Sequence, residues 1–180
     1  NGEVKDVAAD NTVTIKDLKA GDYIVNAILA GNENYTGSSD TKSFKVVKLG
    51  SELTITVTNI TADQSETINV EVTDGATGQV VITVDGKHYY AAINGQFATL
   101  KLDNLTNGTH SVEVKYLGDE KYKESSGQAI FKVDKLESSI KVEVQNIDYG
   151  DVAAVNISVI TTATGNVTIE IGSEYKQTVG

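Results

Sequence analysis

The chain repeats itself at an offset of 87 residues. Residues 21–60 read GDYIVNAILAGNENYTGSSDTKSFKVVKLGSELTITVTNI, and residues 108–147 read GTHSVEVKYLGDEKYKESSGQAIFKVDKLESSIKVEVQNI. Aligned without a gap, 16 of the 40 positions are identical. The matches include Gly21 with Gly108, Gly31 with Gly118, Tyr35 with Tyr122, Phe44 with Phe131, Leu49 with Leu136 and Asn59 with Asn146. Further on, Thr77-Gly78 matches Thr164-Gly165. Self-similarity at a fixed period reads as stacked copies of one structural unit, each of which must build its own core.

Within one period the apolar residues alternate, as they do in half-buried strands. Leu53, Ile55 and Val57 share one face of a first strand, and Ile68, Val70 and Val72 of a second. Val80, Ile82 and Val84 line a third, ending at the turn Asp85-Gly86. A fourth runs from about Lys87 to Ile93 and turns at Asn94-Gly95, a dipeptide that signals a hairpin. Ala98, Leu100 and Leu102 mark a fifth, Val112, Val114 and Tyr116 a sixth, and Ala129, Phe131 and Val133 a seventh. Seven short strands with no helical periodicity predict an all-β fold, an antiparallel β-sandwich repeated in tandem.

Composition narrows what such a chain can do. Apolar residues make up 39% of it, enough for a core, and Val, Ile and Leu carry most of them; there is no Trp or Met. With no Cys, disulfides, thiolate metal sites and thiol chemistry are absent. All 15 basic residues are Lys, and the net charge is −10. Repulsion therefore opposes binding to nucleic-acid phosphates or to an anionic membrane surface. The acidity is what an extended soluble protein would carry. No apolar run approaches the roughly 18 residues of a membrane span, so this segment is not expected to insert. The pattern starts and stops in mid-repeat, which reads as a segment of a longer protein.

A second clue lies ahead of the sixth strand. There Leu105-Thr-Asn-Gly108-Thr-His110-Ser-Val112 matches the upstream Leu18-Lys-Ala-Gly21-Asp-Tyr23-Ile-Val25. A Leu, a Gly turn and an aromatic two residues before a buried Val fit the tyrosine corner of immunoglobulin-like folds, in which the ring tip bonds back to the connection. Tyr23 fits that role directly, and His110 would substitute with a ring N–H. The stretch TGQVVITVDGK…NGQFATLKLDNLTNGTHSVEVKYLGDEKYKESS closely resembles the bacterial and archaeal Ig-like repeat domains of large adhesin-like surface proteins. The carriers are the T-G-x-V strand, the D-G turn, A-T-L, L-x-x-G-T-x and Y-x-G-D-x-x-Y-x-x-S-S. The absence of Pro is a departure. The resemblance implies the fold, an extracellular, cell-surface or cell-wall location, and no particular ligand.

In that frame the seams fall at Val47–Ser51 and Asp134–Ser138. Residues 1–47 would be the C-terminal strands of an incomplete repeat, 48–134 a complete seven-stranded repeat and 135–180 the N-terminal strands of a further incomplete one. The seams are too short for flexible linkers, so neighbouring repeats are each other's expected partners.

No catalytic, cofactor or metal site emerges. The only histidines, His88 and His110, do not recur at their upstream counterparts, Asn1 and Tyr23, and no G-x-S-x-G, H-E-x-x-H or P-loop is present. The acidic turns Gly118-Asp119-Glu120 and Asp148–Asp151 have the oxygen ligands Ca²⁺ takes. Their counterparts, Asn32 and Thr61–Gln64, break the ligand set, so both read as solvated turns. N-x-[ST] glycosylation motifs occur at Asn34, Asn59, Asn104, Asn107, Asn156 and Asn166. Asn104 and Asn107 sit best, in a turn, while Asn156 and Asn166 lie near strands. Tyr89, Tyr90 and Tyr149 are candidate sugar-stacking rings, but alternation turns one of Tyr89 and Tyr90 inward. The expectation is a non-catalytic spacer repeat that supports adhesion by projecting a distal binding region. The alternative is a module that binds a cell-wall or host glycan or protein through its loops.

Overall fold

The computed structural model describes residues 12–160, 163–173 and 175–179, and these divide into two compact units, the first ending at Asp134 and the second beginning at Lys135. The first unit opens with a strand pair, β1 (Gly21–Leu29) and β2 (Ser38–Val46), joined antiparallel. Then come β3 (Leu53–Thr56), β4 (Ile60–Thr61), β5 (Glu66–Val72), β6 (Gln79–Val84), β7 (Lys87–Ala92), β8 (Phe97–Leu102), β9 (Gly108–Tyr116) and β10 (Ser125–Asp134). Residues 53–134 form a β-sandwich. One sheet has the order β3-β5-β8 and the other β4-β10-β9-β6-β7.

The core between the sheets is what the alternation encodes. Along β5, Glu66, Ile68, Val70 and Val72 point inward and their neighbours outward. They meet Val80, Ile82 and Val84 of β6, Val112, Val114 and Tyr116 of β9, and Phe131 and Val133 of β10. Burying a Val, Ile or Phe side chain contributes about 1.5–3 kcal/mol, so this cluster dominates the stability of the unit. Leu53, Ile55, Val57 and Tyr89 pack at its margin.

Two features differ from the sequence expectation. The first strand stops at Thr56 rather than running through Val57. The chain then crosses between the sheets, and β4 pairs in parallel with the end of β10. The sandwich therefore has eight strands, not seven. The Asn94-Gly95 turn does close, with Asn94 and Phe97 exchanging two backbone hydrogen bonds and Gly95 at φ +67°. It does not make β7 and β8 a hairpin. β7 pairs with β6 and β8 with β5, so the turn carries the chain from one sheet to the other.

The same pairings recur outside the sandwich. β1 and β2 place Tyr23 opposite Phe44 and Gly21 opposite Val46. Shifted by 87, these are His110 opposite Phe131 and Gly108 opposite Val133 in β9 and β10. In the second unit, β11 (Ile140–Val144) and β12 (Val155–Val159) pair Ile140 with Val159, as Leu53 pairs with Val72. β13 (Val167–Ile171) and β14 (Tyr175–Val179) follow with a wider turn than Asp85-Gly86. The burial differs sharply, however. Phe44 is 41% exposed where Phe131 is 2%, and Val25 46% where Val112 is 2%.

Candidate functional site

The polar side chains that the fold organises gather at three places in the sandwich. At the first, the connection into β9, the His110 ring stacks on Phe131 with centroids 5.1 Å apart. Its Nε2–H donates to the Thr106 carbonyl at 2.8 Å, and Nδ1 lies 2.5 Å from Asp85 Oδ2. The upstream counterpart has the same construction: Tyr23 Oη donates to the Lys19 carbonyl at 2.8 Å, and its ring stacks on Phe44 at 5.4 Å.

Asp85 is the residue at this corner that the sequence did not single out. The Asp-Gly turn puts it at φ +48°, and from there its carboxylate reaches back to β9, where Oδ1 accepts the N–H and hydroxyl of Ser111. Both ring nitrogens of His110 face acceptors. The Thr106 carbonyl, and then Asp85, hold the imidazole above its ordinary pKa against the cost of burial. Burial works against the Asp85 charge, but the bonds from Ser111 and His110 outweigh it and lower its pKa. The His110 ring is buried and the Asp85 carboxylate stands partly exposed at the rim, so the pair fastens the turn to β9. Each ring nitrogen of His110 and each carboxylate oxygen of Asp85 has a partner within the domain.

The second place is the loop between β9 and β10. Gly118 turns it at φ +78°, where a Cβ would stand 2.8 Å from the Tyr122 carbonyl. Asp119 Oδ1 accepts the N–H groups of Lys121 and Tyr122, and Oδ2 accepts the N–H and hydroxyl of Thr77. These bonds outweigh burial and hold the carboxyl well below the usual range. The turn stays open to solvent at Glu120, and the acid of Asp119 ties the loop to the segment before β6. Asn32 makes the two corresponding bonds upstream, to the N–H groups of Asn34 and Tyr35. Beneath the loop Tyr122 is buried and donates to the Asp74 carbonyl at 2.8 Å. Tyr116 is wholly buried, and burial, then Asp119, pushes its phenol up to about 12.

The third place is the crossing between β3 and β4. The wholly buried Glu66 carboxylate accepts the N–H and hydroxyl of Thr58, both at 2.9 Å. Asn59 Oδ1 accepts the N–H of Lys132 at 2.8 Å. Gln64 Oε1 caps the N–H of Thr61. Glu66 was not singled out from the sequence; its signal is an acid at an inward position of an alternating strand, a placement that demands a buried partner.

The remaining candidates are scattered. Tyr89 lies half-buried with Lys87 Nζ 5.0 Å from its ring centre, while Tyr90 is 67% exposed on the outer face. Tyr149 is exposed in the second unit. Asn34, Asn104 and Asn107 are exposed in bends, with Asn104 at φ +56°. Asn59, also exposed, has its amide oxygen committed to Lys132; Asn156 lies within β12. His88 shares a hydrogen bond with the Thr83 hydroxyl on the exposed face, and its counterpart Asn1 lies outside the described residues. A shallow open depression on the outer face of the larger sheet is lined by residues such as Thr83, Ser111, Glu113, Gln128 and Ile130. Among the described residues, no three of His, Cys, Asp and Glu gather as a metal site would require.

Residues 53–134, the span of the sandwich, match the model of the bacterial Ig-like domain, group 3. No curated protein matches the chain. The aromatic corner, the stapled β9–β10 loop and the eight-stranded sandwich all lie inside the span that matches this family model.

Proposed function

We propose that the chain is a segment of a tandem array of Ig-like repeats with an 87-residue period, serving as a non-catalytic spacer in an extracellular, adhesin-like surface protein. In this reading 48–134 is a whole repeat, and 1–47 and 135–180 are parts of its neighbours. Three supports bear on it. The strand registers recur at the period read from the sequence. Domains of this family commonly occur in extracellular or surface proteins. The polar side chains brought together in the sandwich are consumed in holding it.

The observation that carries the proposal is the entry to the sandwich. The segment before β3 is stitched to the loop ahead of β10, with Leu49 N–H donating to the Lys121 carbonyl at 2.9 Å and Lys123 N–H to the Leu49 carbonyl at 2.8 Å. Ser51 Oγ adds a bond to the Lys123 carbonyl at 2.8 Å. A junction bonded in this way leaves no slack for a flexible tether. Repeats joined like this project whatever lies beyond them, which is the mechanical work of a stalk.

The alternative, a ligand-binding module, would use the loops or the exposed Tyr90 face. A glycan array and a pull-down of surface proteins with the full chain separate the two. The spacer reading expects no saturable binding at micromolar concentration, and specific binding abolished by Tyr90→Ala would replace it with the alternative. Protease shaving of intact cells should release fragments carrying this segment; protection until lysis would contradict the surface location.

A further inference from the structure

The connection from β8 to β9 carries two N-x-[ST] triplets back to back, Asn104-Leu-Thr106 and Asn107-Gly-Thr109. In both, the Asn and its Thr are exposed, and among the described residues neither amide has a hydrogen-bond partner. The other triplet of the sandwich, Asn59-Ile-Thr61, is built differently. Asn59 Oδ1 accepts the N–H of Lys132, Thr61 Oγ1 donates to Asp63 Oδ1 at 2.6 Å, and Ile60 between them is buried. A modifying enzyme could use it only by opening the crossing between the sheets.

The aromatic corner does not need the residues of the exposed triplets. The upstream turn makes the same ring-to-carbonyl bond with Asp17 at φ +58°, where Asn104 stands at φ +56°. It does so with Lys19, Ala20 and Asp22 in place of Thr106, Asn107 and Thr109. Left-handed backbone accepts Asp as readily as Asn. Turn chemistry therefore accounts for a short polar side chain at 104, and for neither Asn107 nor the two threonines. The register also sets the turn at a rim. Gly108 lies opposite Val133, so Asn107 stands at the end of the sandwich where β10 finishes. A bulky group attached there enters solvent and displaces no packed side chain.

We propose that Asn104 and Asn107 are both acceptors of N-linked oligosaccharide. The proposal rests on the extracellular part of the spacer reading for the compartment; the acceptor geometry belongs to the sandwich. In the transfer, the Asn amide nitrogen attacks the anomeric carbon of a lipid-phosphate-linked oligosaccharide. The N–C bond forms, the C–O bond breaks with its electron pair leaving on the lipid phosphate, and the amide gives up one proton. Nothing is oxidised or reduced. A transferase of the secreting cell is the catalyst, and the hydroxyl two residues beyond each Asn is the second group it reads. The products are bulky, hydrated surface groups on one turn.

The test uses the full chain from two sources: shaved from the surface of the cells that bear it, and secreted from a host that performs N-glycosylation. Trypsin cleaves after Lys101 and Lys115, so a single peptide, 102–115, holds both triplets. Mass spectrometry of the intact glycopeptide, with fragmentation that keeps sugar on the side chain, should place a glycan on each of Asn104 and Asn107. The peptide bearing Asn59 should carry none. Thr106→Ala should lose the glycan of Asn104 alone and Thr109→Ala that of Asn107 alone, while Thr106→Ser and Thr109→Ser keep both. The threonines are exposed, so these variants fold; Asn104→Gln would put a longer side chain at φ +56° and strain the turn. An unmodified 102–115 peptide from either source, or Asn59 occupied as fully as the turn, would overturn the proposal. Peptides that no protease releases until the cells are lysed would contradict the surface location instead, and the secreted chain would then decide the glycans.

Discussion

Thr58 and Glu66 are hydrogen-bonded twice across the point where the chain changes sheets, with the carboxylate wholly buried and both bonds 2.9 Å long. This contact lets β3 belong to one sheet and β4 to the other without leaving the Thr58 N–H unpaired.

Removing the acid should therefore cost more than a surface substitution. Glu66→Ala takes the acceptor from the Thr58 N–H and hydroxyl, a loss of about 1–3 kcal/mol. For a domain of this size each kcal/mol lowers Tm by roughly 4–8 °C. Glu66→Gln keeps one acceptor and should lose less. Urea titrations of the two variants give the comparison, and an unchanged midpoint for Glu66→Ala would mean the crossing holds itself.

His110 gives the stability a pH dependence of known sign. Its folded pKa is raised, so its contribution is fully present below the unfolded value near 6.5 and is lost as pH rises through the folded value. Asp85, lowered, contributes above the unfolded carboxylate value and loses that contribution as pH falls through its folded one. Tm should accordingly fall as pH is raised from 6 past the folded pKa of His110. His110→Tyr, which installs the residue found at Tyr23, should flatten that dependence. Calorimetry across this range checks it, with an NMR titration of the imidazole as the direct readout.

Asp119 separates a staple from a cation site. Its four accepted bonds predict that Asp119→Ala costs about 2–3 kcal/mol, more than one hydrogen bond to a charged group contributes at the low end. Asp119→Asn keeps the Oδ1 bonds that Asn32 makes upstream and should retain part of that stability. Millimolar Ca²⁺ should leave Tm unchanged; a rise that disappears in Asp119→Ala would restore the metal reading.

Gly118 and Gly50 make an internal contrast. An alanine at 118 would place its Cβ 2.8 Å from a backbone oxygen at φ +78°, whereas at Gly50 a Cβ meets nothing within 4 Å. Strain of this kind costs on the order of 1–3 kcal/mol. Gly118→Ala should therefore destabilise visibly while Gly50→Ala stays near neutral, as paired denaturation curves will show.

The sequence made the sandwich legible because one face of each strand had to be apolar, and the repeat supplied a second reading of the same positions. The corner was legible too, since an aromatic at a fixed distance from Gly and Val marks where a ring tip can turn back. What periodicity could not carry was the pairing of edges. β4 is only two residues long, too short for any alternation, and the Asn94-Gly95 turn has the same local chemistry whether its strands pair or part. Side chains spent on distant backbone, such as Asp85 on Ser111 or Asp119 on Thr77, were equally hidden, because spacing along the chain does not report on loops that meet in space.

The central claim is that these repeats form a rigid spacer, and the most direct measurement is small-angle X-ray scattering of one, two and three copies of residues 48–134 joined head to tail. A stitched junction predicts a maximum dimension that grows by the same increment with each copy. Growth as the square root of copy number, as for modules on flexible tethers, would contradict it.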